Sequence, residues 1–278
     1  MENNKITLST LKKLKKNNKK ITMLTAYDYP QGLLVDKSGI DIVLVGDSLG
    51  NTVLGYESTV PVTMDEMLHH SKAVRRAVKS SFLISDMPFM SYNNTRKEAI
   101  KNAGRFLKEA GCDAVKLEGG LEVANTIKYI VKAGISVLGH LGLTPQTVSM
   151  LGGYKVQGRN AKKAHEIIEA ALALEEAGCC GIVLECVPWQ LAKIITQKLK
   201  IFTIGIGAGS YCDGQVLVLY DLLGASFNHK PSFAKQYADI ATVVTKAIKS
   251  YKTDVTSGKF PSKKQSFSMK EEEWKKIS

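Results

Sequence analysis

Short runs of apolar and β-branched residues recur along the chain, and segments with helical spacing lie between them. Eight runs are candidate strands: residues 22–27, 42–47, 81–86, 114–118, 136–141, 181–186, 201–206 and 215–220. Continuous apolar runs of this length are typical of parallel strands that are buried on both faces. The pattern therefore predicts a parallel sheet that is covered by helices.

Two of the intervening segments have clear helix ends. Residues 96–110 are amphipathic and stop at Gly111, and residues 161–177 carry apolar side chains on one side and stop at Gly178. Glycine directly after the last periodic residue is a common helix stop. Eight strands that alternate with helices favour an α/β fold of the (β/α)8 type, the TIM barrel, over an open sheet.

A single domain accounts for the whole chain of 278 residues, because barrels of this size are commonly one domain. We predict that the barrel spans about residues 21–250. Residues 1–20 form an N-terminal helical extension, in which leucines recur among lysines, and residues 252–278 form a polar tail.

Charge and cysteine content limit the classes of function. The formal net charge is +12, but the lysines are spread along the chain and no aromatic residues interleave with them, so we predict no nucleic-acid partner. No apolar run approaches the roughly 18 residues of a membrane span, which predicts no membrane association. The five cysteines are odd in number and include no C-x-x-C pair, a pattern that favours a reducing cytoplasm over a disulfide framework.

Ionisable or hydroxyl side chains end five successive predicted strands. Along the chain they are Asp47 and Ser48, Asp86, Lys116 and Glu118, His140, and Glu185. Barrels of this type carry their chemistry at the carboxyl ends of the strands. Since burying unpaired charge is costly, this placement predicts an active site at that rim.

Three carboxylates of this set lie on neighbouring strands. Strand spacing is roughly 4.8 Å, so Asp47, Asp86 and Glu118 would repel one another unless a cation or protons lay between them. A hard divalent ion such as Mg²⁺ suits oxygen ligands and keeps several waters, whose positions a 2-keto acid could occupy. The alternative is that these carboxylates form ion pairs with Lys116 or with nearby arginines.

The remaining polar residues each admit two roles. Lys116 either binds a substrate carboxylate or neutralises the acidic residues, and His140 is either a hydrogen-bonding contact or a buried core residue. Glu185 lies between apolar neighbours, where loss of water would favour a general base, or it is a paired structural residue. The glycine run at 205, 207 and 209 could cradle a phosphate or admit a flat ligand.

These residues lie within a long, ordered series of motifs. The series includes TAYD (25–28), LVGDSLG (44–50), DMPFMSY (86–92), VKLEGG (115–120), GHLGLTPQ (139–146), GGYKVQGR (152–159), LECVP (184–188) and IGIGAG (204–209). In these motifs the chain resembles the ketopantoate hydroxymethyltransferase family of the phosphoenolpyruvate/pyruvate barrel superfamily. The resemblance covers about residues 22–224.

The resemblance implies a decameric barrel in which Asp47, Asp86 and Glu118 bind Mg²⁺, directly or through water. It implies that the substrate-binding residues are Asp47, Ser48, Asp86, Lys116 and His140, and that Glu185 is the catalytic base. The implied reaction passes through a Mg²⁺-stabilised enolate. It converts 3-methyl-2-oxobutanoate, 5,10-methylenetetrahydrofolate and water into 2-dehydropantoate and tetrahydrofolate, a step toward pantothenate and coenzyme A.

Two other functions remain open at this point. One is a carbon–carbon lyase or mutase of the same superfamily that acts on another 2-keto or hydroxy acid; such enzymes usually carry a Lys-Lys-Cys-Gly-His loop, which this sequence lacks. The other is a non-catalytic barrel, although a barrel that has lost its activity should also have lost some of these polar residues.

Overall fold

Eight parallel strands close into a barrel in chain order, which confirms the predicted (β/α)8 fold. The computed structural model describes residues 5–225 and 231–278. The strands are β1 Ile21–Thr25, β2 Ile42–Val45, β3 Phe82–Asp86, β4 Ala114–Glu118, β5 Val137–Gly142, β6 Gly181–Glu185, β7 Phe202–Ile206 and β8 Gly214–Leu217. Each coincides with a predicted run, although β1, β2 and β8 end two to three residues earlier than predicted.

Helices surround the barrel and follow most of its strands. They are α1 Leu8–Lys16, α2 Tyr29–Lys37, α3 Leu49–Thr52, α4 Met64–Ala77, α5 Arg96–Ala110, α6 Leu121–Lys132, α7 Ala161–Glu176, α8 Trp189–Lys198, α9 Leu219–Leu223, α10 Ile240–Thr256 and α11 Glu271–Trp274. Helix α5 has the predicted bounds and ends at Gly111, whose φ of 64° is left-handed. Within the described ranges, none of the helices is both long and apolar enough to cross a membrane.

The apolar core has two layers, one inside the barrel and one between the strands and the helices. Alternate strand residues such as Ile42, Leu44 and Ile84 fill the interior, because successive side chains of a strand point to opposite faces. Helix α1 lies at the amino ends of the strands, where its fully buried Leu11 packs against this interior cluster. The barrel is therefore closed at its floor by apolar side chains.

Helix α10 continues past residue 250, the predicted end of the barrel, and ends at Thr256 within the predicted polar tail. The Asp239 side chain caps the start of α10 by accepting a hydrogen bond from the Thr242 N–H. None of its residues is buried in the chain. Its apolar side chains Val244, Ile248 and Tyr251 are all exposed.

Candidate active site

Strand register brings the predicted site residues together at the rim of the barrel. Asp86 of β3 is the pairing partner of Lys116 in β4, and Glu118 is the partner of His140 in β5. Partners in adjacent parallel strands project to the same face of a sheet. The residues two positions before Asp86, Lys116 and His140 fill the barrel interior, so these polar side chains lie above the apolar layer.

One cavity of about 990 Å³ opens at this rim, and all seven predicted site residues line it. They are Asp47, Ser48, Asp86, Lys116, Glu118, His140 and Glu185. The three acidic residues of the predicted metal site are no more than 4% exposed. The structure therefore gathers the predicted residues into one largely buried site.

The basic and acidic groups of the site form close ion pairs. Lys116 Nζ lies 2.8 Å from Asp86 Oδ1. Asp86 therefore forms the ion pair with Lys116 that was the alternative to a metal site. His140 lies between two other carboxylates, with Nδ1 3.3 Å from Glu118 Oε1 and Nε2 3.1 Å from Glu185 Oε2. The Glu185 side chain keeps 16% of its surface exposed and faces the cavity, so it is less desolvated than predicted.

The buried carboxylates of the site repel one another, and the nearby positive charge does not fully offset this repulsion at Asp47. Burial raises the pKa of Asp47 well above its ordinary value, and the nearby charges of Asp86 and Glu118 raise it further. Lys116 opposes this shift without cancelling it. Burial lowers the pKa of Lys116, but the three carboxylates outweigh burial and raise it above its ordinary value, so Lys116 stays charged.

His140 is the second positive group of the site. Burial and the Lys116 charge lower its pKa, but the hydrogen bonds to Glu118 and Glu185 outweigh them and raise it to about 9. Burial likewise raises the pKa of Glu118, but the hydrogen bond and charge of His140 reverse that effect and bring it below its ordinary value. Near neutral pH, a protonated imidazole therefore joins Glu118 to Glu185.

The donor set fits a hard divalent cation. Asp47, Asp86 and Glu118 supply only oxygen atoms, and buried Asp86 Oδ1 accepts no hydrogen bond of good geometry although it pairs with Lys116. In the part of the chain that the structure describes, no three His, Cys, Asp or Glu residues form a ready-made metal cluster. Mg²⁺ does not require one, because it commonly binds through one or two carboxylates and keeps several waters.

Three residues without a role in the sequence prediction complete the site. Tyr27 Oη lies 2.9 Å from Ser48 Oγ, and burial raises the pKa of Tyr27 to about 12, so this phenol stays neutral. Gln146 contacts both Asp47 and Glu118, and Tyr92 contacts Gln146. In the sequence, Gln146 and Tyr92 stand out only as the last residues of the motifs GHLGLTPQ and DMPFMSY.

The glycine run after β7 has a packing explanation. Gly207 and Gly209 have left-handed φ values of 62° and 77°. A Cβ atom on Gly207 would lie 2.8 Å from the Phe233 ring, and one on Gly209 would collide with the Trp189 side chain. These glycines therefore allow the loop to pack closely against two aromatic residues.

The model of the family described as ketopantoate hydroxymethyltransferase matches residues 5–263. The chain belongs to this family. Proteins named 3-methyl-2-oxobutanoate hydroxymethyltransferase are similar to it over nearly their full length. The protein from Thermoanaerobacter sp. (strain X514) is 54% identical, with 97% of this chain and 98% of the relative covered. The protein from Syntrophomonas wolfei subsp. wolfei is 53% identical, with 96% and 97% covered.

The family relationship makes the chain an enzyme that transfers a hydroxymethyl group to 3-methyl-2-oxobutanoate, a reaction of pantothenate biosynthesis. Among solved structures, phosphonopyruvate hydrolase is similar with a TM-score of 0.61 and 13% identity, covering 96% of this chain and 93% of that one. 2,3-Dimethylmalate lyase is similar with a TM-score of 0.58 and 12% identity, covering 94% and 91%. At such identities the similarity shows the fold alone.

Proposed function

We propose that this hydroxymethyltransferase takes its one-carbon unit from 5,10-methylenetetrahydrofolate, with Glu185 as the catalytic base and Mg²⁺ as the cofactor. The observation that carries the proposal is the position of Glu185. Its carboxylate faces the cavity 3.1 Å from His140 Nε2, beside the buried group formed by Asp47, Asp86 and Glu118. A proton acceptor is thus placed next to a site for an anionic keto acid.

Lys116 and Ser48 are suited to hold the keto acid. Lys116 stays positively charged among the carboxylates, and Ser48 Oγ lines the same cavity with its hydroxyl partnered by Tyr27. In the proposed complex, Lys116, Ser48 and Asp47 orient the carboxylate end of the substrate, and Asp86 keeps Lys116 in position. This arrangement turns C3 of the keto acid toward Glu185, which removes its proton.

Asp47, Asp86 and Glu118 would hold the Mg²⁺ ion, directly or through water. When bound there, Mg²⁺ would polarise the 2-oxo group and so make the C3 hydrogen more acidic. His140 Nε2 lies 3.1 Å from Glu185 Oε2, so the positive charge of the imidazole would hold the carboxylate in place as the proton moves. C3 then bonds to the one-carbon unit as the bond from that carbon to one folate nitrogen breaks. Water displaces the second nitrogen, so that the hydroxymethyl group stays on the keto acid and tetrahydrofolate leaves.

The size of the cavity supports a second, larger substrate. A volume of about 990 Å³ far exceeds that of a five-carbon keto acid. Beyond the acidic group, the wall includes Tyr56, Tyr154 and Phe233, whose rings offer apolar surface to a flat heterocycle. These features suit the pterin of a folate that enters above the keto acid.

Proton exchange at C3 of 3-methyl-2-oxobutanoate in D₂O tests the proposed first half of the reaction. The enzyme is incubated without folate, with and without Mg²⁺, and deuterium incorporation is followed by NMR. We expect rapid exchange that depends on the metal. Exchange that is absent under every divalent metal would overturn the proposed base and cofactor, while addition of methylenetetrahydrofolate tests the donor separately.

We also propose that the enzyme assembles into a homo-oligomer, with the decamer that the family resemblance implies. The exposed apolar side chains of α10, Val244, Ile248, Tyr251 and Val255, recur at helical spacing and support self-association. Light scattering should give ten times the chain mass of 30.4 kDa.

A cytoplasmic location is proposed because all five cysteines are unpaired and buried.

A further inference from the structure

Each of the three site carboxylates has one oxygen bound by an amide of the chain. Asp47 Oδ2 accepts from Gln146 Nε2 at 2.8 Å, Glu118 Oε2 accepts from the Gln146 backbone N–H at 3.0 Å, and Asp86 Oδ2 accepts from the Asp47 backbone N–H at 3.1 Å. The second oxygens of Asp86 and Glu118 face Lys116 and His140. A single residue, Gln146, therefore supplies two of the three amide donors.

The orientation of the Gln146 side chain is fixed on both sides. Its Nε2 lies 2.8 Å from Asp47 Oδ2 and 3.0 Å from the Met87 carbonyl oxygen, and only the NH₂ group can donate to two acceptors. Its Oε1 lies 2.7 Å from the Tyr92 hydroxyl, which also accepts from the Glu118 N–H at 3.2 Å. A flipped amide would set an oxygen against a carboxylate and a carbonyl.

The local fold explains why Gln146 reaches so far into the site. Pro145, Gln146 and Thr147 form a single 3₁₀ turn two residues after β5, with proline at the first position, where its missing N–H is not needed. Gln146 is 4% exposed, so its amide contacts the chain instead of water. The turn places the Gln146 side chain against Asp47, which follows β2, and the Gln146 backbone N–H against Glu118 at the end of β4.

We propose that Gln146 is a positioning residue for the acidic site: it determines which oxygens of Asp47 and Glu118 face the bound cation. The inference rests on the metal site proposed above. Without the Nε2 donor, Asp47 can rotate and its two oxygens become interchangeable, so the site loses the arrangement that a divalent ion requires. Residues that orient metal ligands in this way contribute about 10–100-fold to metal affinity.

Binding of Mn²⁺ to the enzyme without substrate tests the inference apart from turnover. Gln146→Met keeps a similar volume but removes both side-chain donors. Free Mn²⁺ is counted by its EPR signal during titration, and Mg²⁺ competition confirms a shared site. We expect the Kd for Mn²⁺ to rise about 10–100-fold in Gln146→Met, and C3 exchange by this variant to recover at high metal concentration.

Asn102→Leu is the matched control, because Asn102 is also a buried amide and donates 2.8 Å to the Ser91 carbonyl oxygen. It should lower the melting temperature as Gln146→Met does, yet leave the Kd for Mn²⁺ within about twofold. Wild-type affinity in Gln146→Met would overturn the positioning role while leaving the metal site intact. A wild-type enzyme that binds no Mn²⁺ would overturn the metal site and this inference with it.

Discussion

Asp86 and Lys116 are direct partners in the pairing of β3 with β4, and Lys116 Nζ lies 2.8 Å from Asp86 Oδ1. The pair is buried above the apolar interior of the barrel, next to Asp47 and Glu118. One ammonium group thus stands among three carboxylates. A change to any one of these charged groups should therefore alter the balance of charge for the others.

Lys116→Met should destabilise the folded enzyme in the absence of metal and weaken its binding of the keto acid. Removing one partner of a buried ion pair leaves the other charge uncompensated, so we expect the free energy of unfolding to fall by about 3 kcal/mol. The KM for the keto acid should rise by at least about tenfold, because a charge-assisted contact is lost. Lys116→Arg keeps the charge and should lose less of both. An unchanged KM in Lys116→Met would remove this lysine from the substrate site.

Glu185→Gln should abolish C3 exchange without loss of the metal. The substitution keeps the shape of the side chain but removes the proton acceptor, and general-base catalysis of this kind contributes about 10²–10⁴-fold. The NMR exchange assay in D₂O gives the rate, and Mn²⁺ titration gives the affinity, which we expect to stay near that of the wild type. Retained exchange would show that Glu185 is not the base.

Asp47→Asn should stabilise the metal-free enzyme. The folded state raises the pKa of Asp47 above its unfolded value of 3.8, so the ionised carboxylate opposes folding increasingly as the pH rises above 3.8. Asparagine keeps an oxygen for Gln146 but carries no charge. Each 1 kcal/mol relieved should raise the melting temperature by about 2–4 °C at pH 7. The stabilisation that Mg²⁺ gives the wild type should be lost, and a lower melting temperature without metal would contradict the prediction.

Asp36→Asn should have the opposite effect. Asp36 accepts hydrogen bonds from the backbone N–H groups of Lys79, Ser80 and Ser81, and although burial raises its pKa, these bonds outweigh burial and lower it below 3.8. Its contribution is therefore present above pH 3.8 and is lost as the pH falls through the lower folded value. We expect a loss of about 2 kcal/mol at pH 7. Melting curves between pH 7 and pH 3 should show the difference from the wild type shrinking at low pH.

Gly142→Ala should disturb catalysis through the backbone. Gly142 has a φ of 98°, and a Cβ atom there would collide with the carbonyl oxygen of its pairing partner Glu185. The end of β6 must then move, and a displacement of about 1 Å near the reacting groups can reduce the rate about 10²-fold. Gly134→Ala is the control, since its φ is 88° but no atom lies within 4 Å of the added methyl group. Both variants should lose stability, and equal exchange rates in the two would contradict the prediction.

The strands and the charged rim were predictable because both leave a local signal in the sequence. A strand buried on two faces is a continuous apolar run, and a charged residue at its end, such as Asp86 or Glu185, is conspicuous. Gln146 leaves no such signal, because its partner Asp47 is 99 residues away and a one-turn helix after a strand has no periodicity. The end of α10 leaves no clear signal either, because its lysines and threonines after residue 251 read as a polar tail although the helix continues to Thr256.

The closed floor of the barrel has a consequence for the sequence of binding events. Leu11 and its neighbours in α1 seal the amino end, so within the described part of the chain the cavity is entered from the opposite rim. Both substrates of the proposed reaction, the keto acid and the folate, must enter through this rim. The groups proposed for the keto acid lie deepest, where Asp86 and Glu118 are almost fully buried. A folate bound above them would block access to the keto-acid site. We therefore expect ordered binding, in which the keto acid binds before the folate and the hydroxymethylated product leaves last.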